Sequence, residues 1–140
     1  MYVAFKKSSS TMYEKIISYV TKSKYVHCEL VTEKYMNRFL GYSSEPFVGV
    51  RGKWIAYTDD WDFIPIPSKY EICMEFVFDK TMHCKYDYLG ILGFVFKNKD
   101  DPARYFCSEW VATVLRLENP SKMSPGDLYK ILKDRYYESD

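Results

Sequence analysis

A chain of 140 residues has room for one hydrophobic core but not two. Hydrophobic residues make up 47% and charged residues 28%, a balance that excludes a disordered or low-complexity protein. Twenty basic side chains against nineteen acidic ones leave a formal charge of +1 with no long block of either sign, so nucleic acid is not an expected partner.

Tyr2–Phe5 reads as a short strand, and Met1–Lys7 holds no apolar stretch long enough for a signal peptide. Thr11 and Glu14 stand at capping-box spacing, and Met12, Ile16, Tyr19 and Val20 follow at helical intervals, which predicts a helix over Met12–Thr21. Tyr25–Thr32 alternates two sets: Tyr25, His27, Glu29 and Val31 on one face of a strand, Val26, Cys28, Leu30 and Thr32 on the other. Met36–Tyr42 reads as the next strand, antiparallel to it, and Gly49–Gly52 as a turn. Trp54–Tyr57 and Trp61–Ile66 read as two further short strands, the last closed by Pro65 and Pro67.

Lys69–Thr81 is taken as a helix on length, although Phe76–Phe78 alone would suit a strand. Tyr86–Phe96 is predicted as a compact apolar helix. Its most apolar run, Leu89–Phe96, is too short to span a bilayer, and Lys97–Asp101 is a charged loop. Cys107–Leu117 is predicted as a helix with Trp110, Val111, Val114 and Leu115 on its buried stripe. Ser124 as N-cap with Pro125 after it opens a last helix through Leu128, Ile131 and Leu132. A helix, a run of antiparallel strands and then helices make the fold class α+β rather than doubly wound. No repeat or linker divides residues 1–140, so one domain is expected.

Cys28, Cys73, Cys84 and Cys107 include no CxxC pair, and with two histidines there is no zinc spacing. No metal, cofactor or disulfide is therefore expected. Cys107 falls in the first turn of the apolar helix, where backbone N–H groups and the macrodipole favour a thiolate, the reactive form. The same N–H groups could hold an oxyanion. Such a nucleophile needs a base, and His27 is suited to that role. The two are eighty residues apart, so only the fold can bring them together. Taken alone, a cysteine on an apolar helix is more commonly packing than catalysis. His83 is read as structural or exposed, Asp87 as a helix cap, Glu109 as facing solvent or a nearby cation, and Trp61 as strand core.

The ordered set His27-x-Glu29-Leu30, Gly49-Val50-Arg51, Tyr86-Asp87-Tyr88-Leu89-Gly90, Phe106-Cys107-Ser108-Glu109 and Ser124-Pro125-x-Asp127-Leu128 resembles the circularly permuted NlpC-type papain-like superfamily. The nearest likeness is to its YaeF/YiiX-like branch, which has bacteriophage and poxvirus relatives. The resemblance covers Tyr25 to Leu132, and the order of the motifs carries it, with histidine ahead of cysteine. It implies a permuted papain-like fold, an antiparallel sheet or small barrel packed against helices. Cys107 would be the nucleophile and His27 the general base of a cysteine hydrolase acting on an amide, peptide or (thio)ester. Relatives carry a third polar group, often Glu, that orients the imidazole just ahead of the Gly-Val motif. Counting back from Gly49 puts that place at Ser43, which departs from the pattern. Three readings stay open: Ser43 or Ser44 orients His27, Glu29 substitutes from the same strand face, or activity is weak or lost. The resemblance also leaves open a lipid-directed acyltransferase or phospholipase and an inactive viral or phage binding module. A peptide, amide or lipid acyl substrate, no transmembrane segment and a cytoplasmic location (host cytoplasm or virion if viral) complete the expectation.

Overall fold

Short runs rich in β-branched and aromatic residues, punctuated by turns, dominate the first half of the chain and form its strands. The computed structural model describes residues 1–7, 11–86 and 104–137. In chain order these form β1 (Tyr2–Lys7), α1 (Met12–Thr21), β2 (Tyr25–Lys34), β3 (Arg38–Glu45), β4 (Gly49–Ala56), β5 (Trp61–Pro65), α2 (Tyr70–Thr81), β6 (Lys85–Tyr86), β7 (Arg104–Tyr105), α3 (Cys107–Val114) and α4 (Pro125–Tyr136). A single 3₁₀ turn, Pro120–Lys122, lies between α3 and α4. The architecture is α+β. Five antiparallel strands make one sheet in the order β4-β3-β2-β1-β5, and β6 and β7 pair in parallel beside it.

Alternation along the strands divides their side chains between two faces. Val3, Phe5, Cys28, Leu30, Val50 and Ile64 meet Met74 of α2, Trp110, Val111 and Val114 of α3, and Leu128 and Leu132 of α4 in the main core. Ala4, Val31, Phe39 and Trp61 form a smaller cluster on the opposite face. Trp110 is fully buried, and its Nε1–H donates to Thr81 Oγ1 at 2.8 Å, tying α3 to α2. Left unpaired, that buried donor would cost about 1–3 kcal/mol. The caps form where the sequence puts them. Thr11 Oγ1 accepts from the Glu14 N–H at 3.2 Å, and Ser124 and Asp127 cap one another reciprocally at 3.1 Å.

Several expectations are corrected. Met12, Ile16 and Tyr19 of α1 face solvent, and Ile17, with Val20 beside it, packs on Val26 instead. A ten-residue helix that packs on a single strand needs only one short contact row, which its apolar composition does not identify. Tyr25 does not keep the strict alternation. The β1–β2 register shifts between Lys6 and Lys7, which turns Tyr25 onto Phe5 and Tyr129, with ring centroids 5.6 and 4.3 Å away.

Gly49–Gly52 is not a turn. The chain reverses just before it, with Phe47 at φ 67°, and Gly49 opens a continuous β4 that also absorbs most of the strand expected over Trp54–Tyr57. Gly49 is required by its φ of 87° and by crowding, because a Cβ there would lie 2.3 Å from the Cys84 carbonyl oxygen. Tyr86 belongs to β6 rather than opening a helix, and the rest of the helix expected over Tyr86–Phe96, with Asp87 and the Lys97–Asp101 loop, lies outside the described residues. α3 stops at Val114, short of Leu117, and Arg116 just beyond it takes φ 55°.

Candidate active site

The β2–β3 ladder begins at Leu30↔Tyr42, so the start of β2, through Glu29, runs without a β3 partner. β3 continues instead against the start of β4, with Ser43 opposite Arg51 and Ser44 opposite Val50. The N-terminus of α3 enters at this parting. It is anchored there by three contacts: Ser44 Oγ–H donates to the Tyr105 carbonyl at 2.6 Å, β7 pairs with β6, and the Val50 N–H donates to the Cys84 carbonyl at 3.1 Å. On the far side, Ser108 Oγ–H donates to the Met123 carbonyl at 2.6 Å. Local strand chemistry and these anchors together set Cys107, the first residue of α3, against His27 and Cys28 of β2.

Cys107 shares the main core with Cys28, and His27 and Cys28 are the side chains near enough to act on its thiol. His27 Nε2 is 2.6 Å from Glu29 Oε1. Glu29 is fully buried, and Arg51 reaches it with Nη1 to Oε2 at 2.7 Å and Nη2 to Oε1 at 2.5 Å. Arg51 Nε then donates to Glu45 Oε2 at 2.6 Å, and Lys53 Nζ holds both Glu45 oxygens at 2.8–2.9 Å. Gly41 of β3 makes room for this network, since a Cβ there would stand 2.9 Å from Glu29 Oε2.

Electrostatics follow from the geometry. Burial alone would lower the His27 pKa, but the charge of Cys107, then that of Glu29, outweighs it and raises the imidazole to about 9. Burial alone would raise Glu29, but the His27 charge and the Arg51 hydrogen bonds bring its carboxyl down to about 2. The Cys107 thiol is held well below its ordinary value, first by the Cys28 hydrogen bond and, against the cost of burial, by the His27 charge. Cys28 moves the other way, pushed up by burial and by its contacts with Cys107. The shifts at Cys107 and His27 both favour the charged forms, a thiolate beside an imidazolium, with the Glu29 carboxylate buried behind the ring.

A cleft of about 590 Å³ opens on the His27 side of the sheet. Its wall includes Ile17, Val26, Ile55, Trp61, Lys6 and Glu14, with His27, Glu29 and Arg51 at its inner end. Cys107 is 2% exposed and does not line this cleft among the described residues, whereas the His27 side chain keeps 16% exposure on its wall. The Trp61 ring meets His27 edge-on at 6.3 Å, so Trp61 belongs both to the small core cluster and to the cleft wall.

His27, Glu29 and Cys107 therefore come together, and Ser43 and Ser44 do not join them as orienting groups. Ser43 is buried with its hydroxyl unpartnered, and Ser44 is engaged by the Tyr105 carbonyl. A carboxylate two residues along the same strand face reaches the ring without crossing to β3, which is why Glu29 occupies the place that motif counting gave to Ser43. Glu109 is buried rather than facing solvent, with Oε2 accepting from the Phe106 N–H at 3.4 Å. His83 is exposed. Sequence reasoning missed one contributor: Arg51 stood inside a quoted motif without a role. Among the described residues no group of three or more His, Cys, Asp or Glu side chains is arranged to hold a metal ion. No helix there is long and apolar enough to cross a membrane. No family model matches this chain, and no curated protein matches it.

Proposed function

We propose that this protein is a cysteine-dependent hydrolase of permuted papain-like architecture that cleaves an amide, peptide or (thio)ester bond. The observation that carries this reading is the meeting of the Cys107 sulfur, the His27 imidazole and the buried Glu29 carboxylate at the tip of α3. In this reading the Cys107 thiolate attacks the carbonyl carbon, and the first backbone N–H groups of α3, which have no partners within the helix, stabilise the oxyanion. The His27 imidazolium then gives its proton to the leaving group, so the carbon–leaving-group bond breaks and a thioester to Cys107 remains. Neutral His27 next takes a proton from water, the hydroxide attacks the thioester, and Cys107 leaves as thiolate. Glu29 touches no reacting atom. It is a positioning residue that holds the ring and balances its charge, and Arg51 holds Glu29.

The test is alkylation by iodoacetamide at pH 6, resolved to individual cysteines by mass spectrometry, together with turnover of a panel of peptide amides and aryl esters. Cys107 should react well ahead of Cys73, Cys84 and Cys28, and Cys107→Ala should remove both that labelling and all turnover. Wild-type protein in which Cys107 reacts no faster than the other thiols would refute the reading. The apolar side of the cleft, formed by Ile17, Val26, Ile55 and Trp61, favours a second reading in which the acyl group comes from a lipid. A steep rise in turnover with acyl chain length in the ester panel would select it over peptide substrates.

A further inference from the structure

Met12, Ile16 and Tyr19 follow one another at steps of four and three residues, so they form one stripe along α1, about 10 Å long. The helix packs on the sheet through Ile17 instead, about 130° further round its axis. All three stripe residues are exposed, Met12 to 78% and Tyr19 to 85%.

The charge around this stripe is one-sided. Before Tyr25 the chain holds Lys6, Lys7, Lys15, Lys22 and Lys24 against a single acid, Glu14. Lys6 takes Glu14 at 2.8 Å, and Lys7 reaches Asp62 of β5 at 3.6 Å. Lys15, Lys22 and Lys24 are exposed, and no carboxylate among the described residues neutralises them. Lys15 lies within the length of the stripe, Lys22 caps the end of the helix, and Lys24 follows it. A chain with a net charge of +1 thus gathers three unpaired cations beside an apolar ridge.

We propose that α1 is an interfacial helix that seats this face on an anionic lipid surface. Met12, Ile16 and Tyr19 enter the headgroup boundary, and Lys15, Lys22 and Lys24 meet the anionic headgroups. Tyrosine suits that boundary because its ring and hydroxyl divide between the apolar and aqueous sides. Glu14 and Ile17 of the same helix line the cleft that ends at His27, so a lipid surface under α1 lies beside that cleft. The inference does not need Cys107 to be a nucleophile.

Charge decides the occupant, as a second exposed stripe shows. Ile72 and Phe76 of α2 are also exposed, but there Glu71, Glu75 and Asp79 outnumber Lys69 and Lys80. An anionic surface gains nothing from that helix.

The experiment is flotation of the full chain with phosphatidylcholine vesicles, pure or containing about 30% phosphatidylserine, in about 0.1 M and about 0.5 M NaCl. Wild type should float with the serine-containing vesicles in the lower salt, and binding should fall about ten-fold or more in the higher salt or on pure phosphatidylcholine. Lys15→Gln with Lys22→Gln should weaken binding about 25-fold, about five-fold for each lysine. Met12→Ser with Tyr19→Ser should weaken it about ten-fold or more through lost apolar contact. Ile72→Ser with Phe76→Ser on α2 should leave it within about two-fold. All six positions are exposed, so the variants should unfold thermally as wild type does.

Wild-type protein that stays behind in the lower salt overturns the proposal. So does binding that ignores salt, or that the α2 variant weakens as much as the α1 variants do. If vesicles capture nothing and the α1 variants instead abolish a dimer seen by analytical ultracentrifugation, the stripe belongs to a second copy and the proposal falls. Alkylation of Cys107 is read separately, so failure of the hydrolase reading leaves the flotation result standing.

Discussion

Replacing Glu29 by Gln keeps the shape of the buried side chain and removes its charge. In the native protein that carboxylate accepts from His27 at 2.6 Å and from two Arg51 nitrogens at 2.5 and 2.7 Å, and none of it is exposed. The amide can still accept, but the imidazolium loses its counter-ion, and Arg51, with its side chain 11% exposed, keeps only Glu45. Breaking a buried ion pair from one side costs about 3–5 kcal/mol, a large share of the roughly 5–15 kcal/mol that holds a domain folded. The His27 pKa, raised to about 9 in part by Glu29, should fall by about one or more, worth roughly 1.4 kcal/mol in the stability of the imidazolium. Turnover should drop on the order of 10²–10⁴-fold, the span that positioned acid–base groups supply.

With two histidines in the chain, ¹⁵N-detected imidazole titration reads His27 directly against His83. A folded Glu29→Gln protein in which His27 still titrates near 9 would show that the carboxylate does not sustain the charged ring. Denaturant unfolding against pH provides the linked measurement. Glu29 is depressed from 4.5 to about 2, so its stabilisation is complete above pH 4.5 and is lost as pH falls through 2. His27 is raised from 6.5 to about 9, so its contribution is complete below pH 6.5 and is lost as pH rises through 9. Cys107 is depressed and carries the opposite linkage over that alkaline range, so the two oppose each other there. The acid limb is therefore the one to read, and Glu29→Gln should flatten it.

Two further substitutions probe the frame around the site. Ser43→Ala removes a buried hydroxyl without a hydrogen-bond partner, so stability should stay within about 0.5 kcal/mol or rise slightly, with Cys107 alkylation unchanged. A ten-fold loss of alkylation would return Ser43 to the role of orienting the imidazole. Gly49→Ala forces a side chain into a φ of 87° and a Cβ to within 2.3 Å of the Cys84 carbonyl oxygen, so urea denaturation should show a loss of about 2 kcal/mol or more. A loss below about 0.5 kcal/mol would mean that β4 and β6 can separate at little cost.

Much of the local structure was legible in the chain because it depends on neighbours in sequence. Thr11 and Ser124 carry the side-chain oxygens that helix starts need, and α1 and α4 begin at the residues after them. The buried stripe of Trp110, Val111, Val114 and Leu115 was equally plain, as was the alternation that puts His27 and Glu29 on one face. Local patterns misled where packing chose among near-equal options. Ile17 rather than Ile16 faces the sheet, and a register shift rotates Tyr25. Gly49 answers to a carbonyl thirty-five residues away rather than to a turn.

Residue chemistry by itself singled out a thiol at a helix start and an imidazole on a strand as a possible pair. Whether they touch was decided by the parting of β2 from β3, a property of strand pairing between segments far apart in the chain. The same parting let Arg51 reach back across the sheet to Glu29. Contacts of that kind depend on long-range register and burial, which no window of the sequence contains.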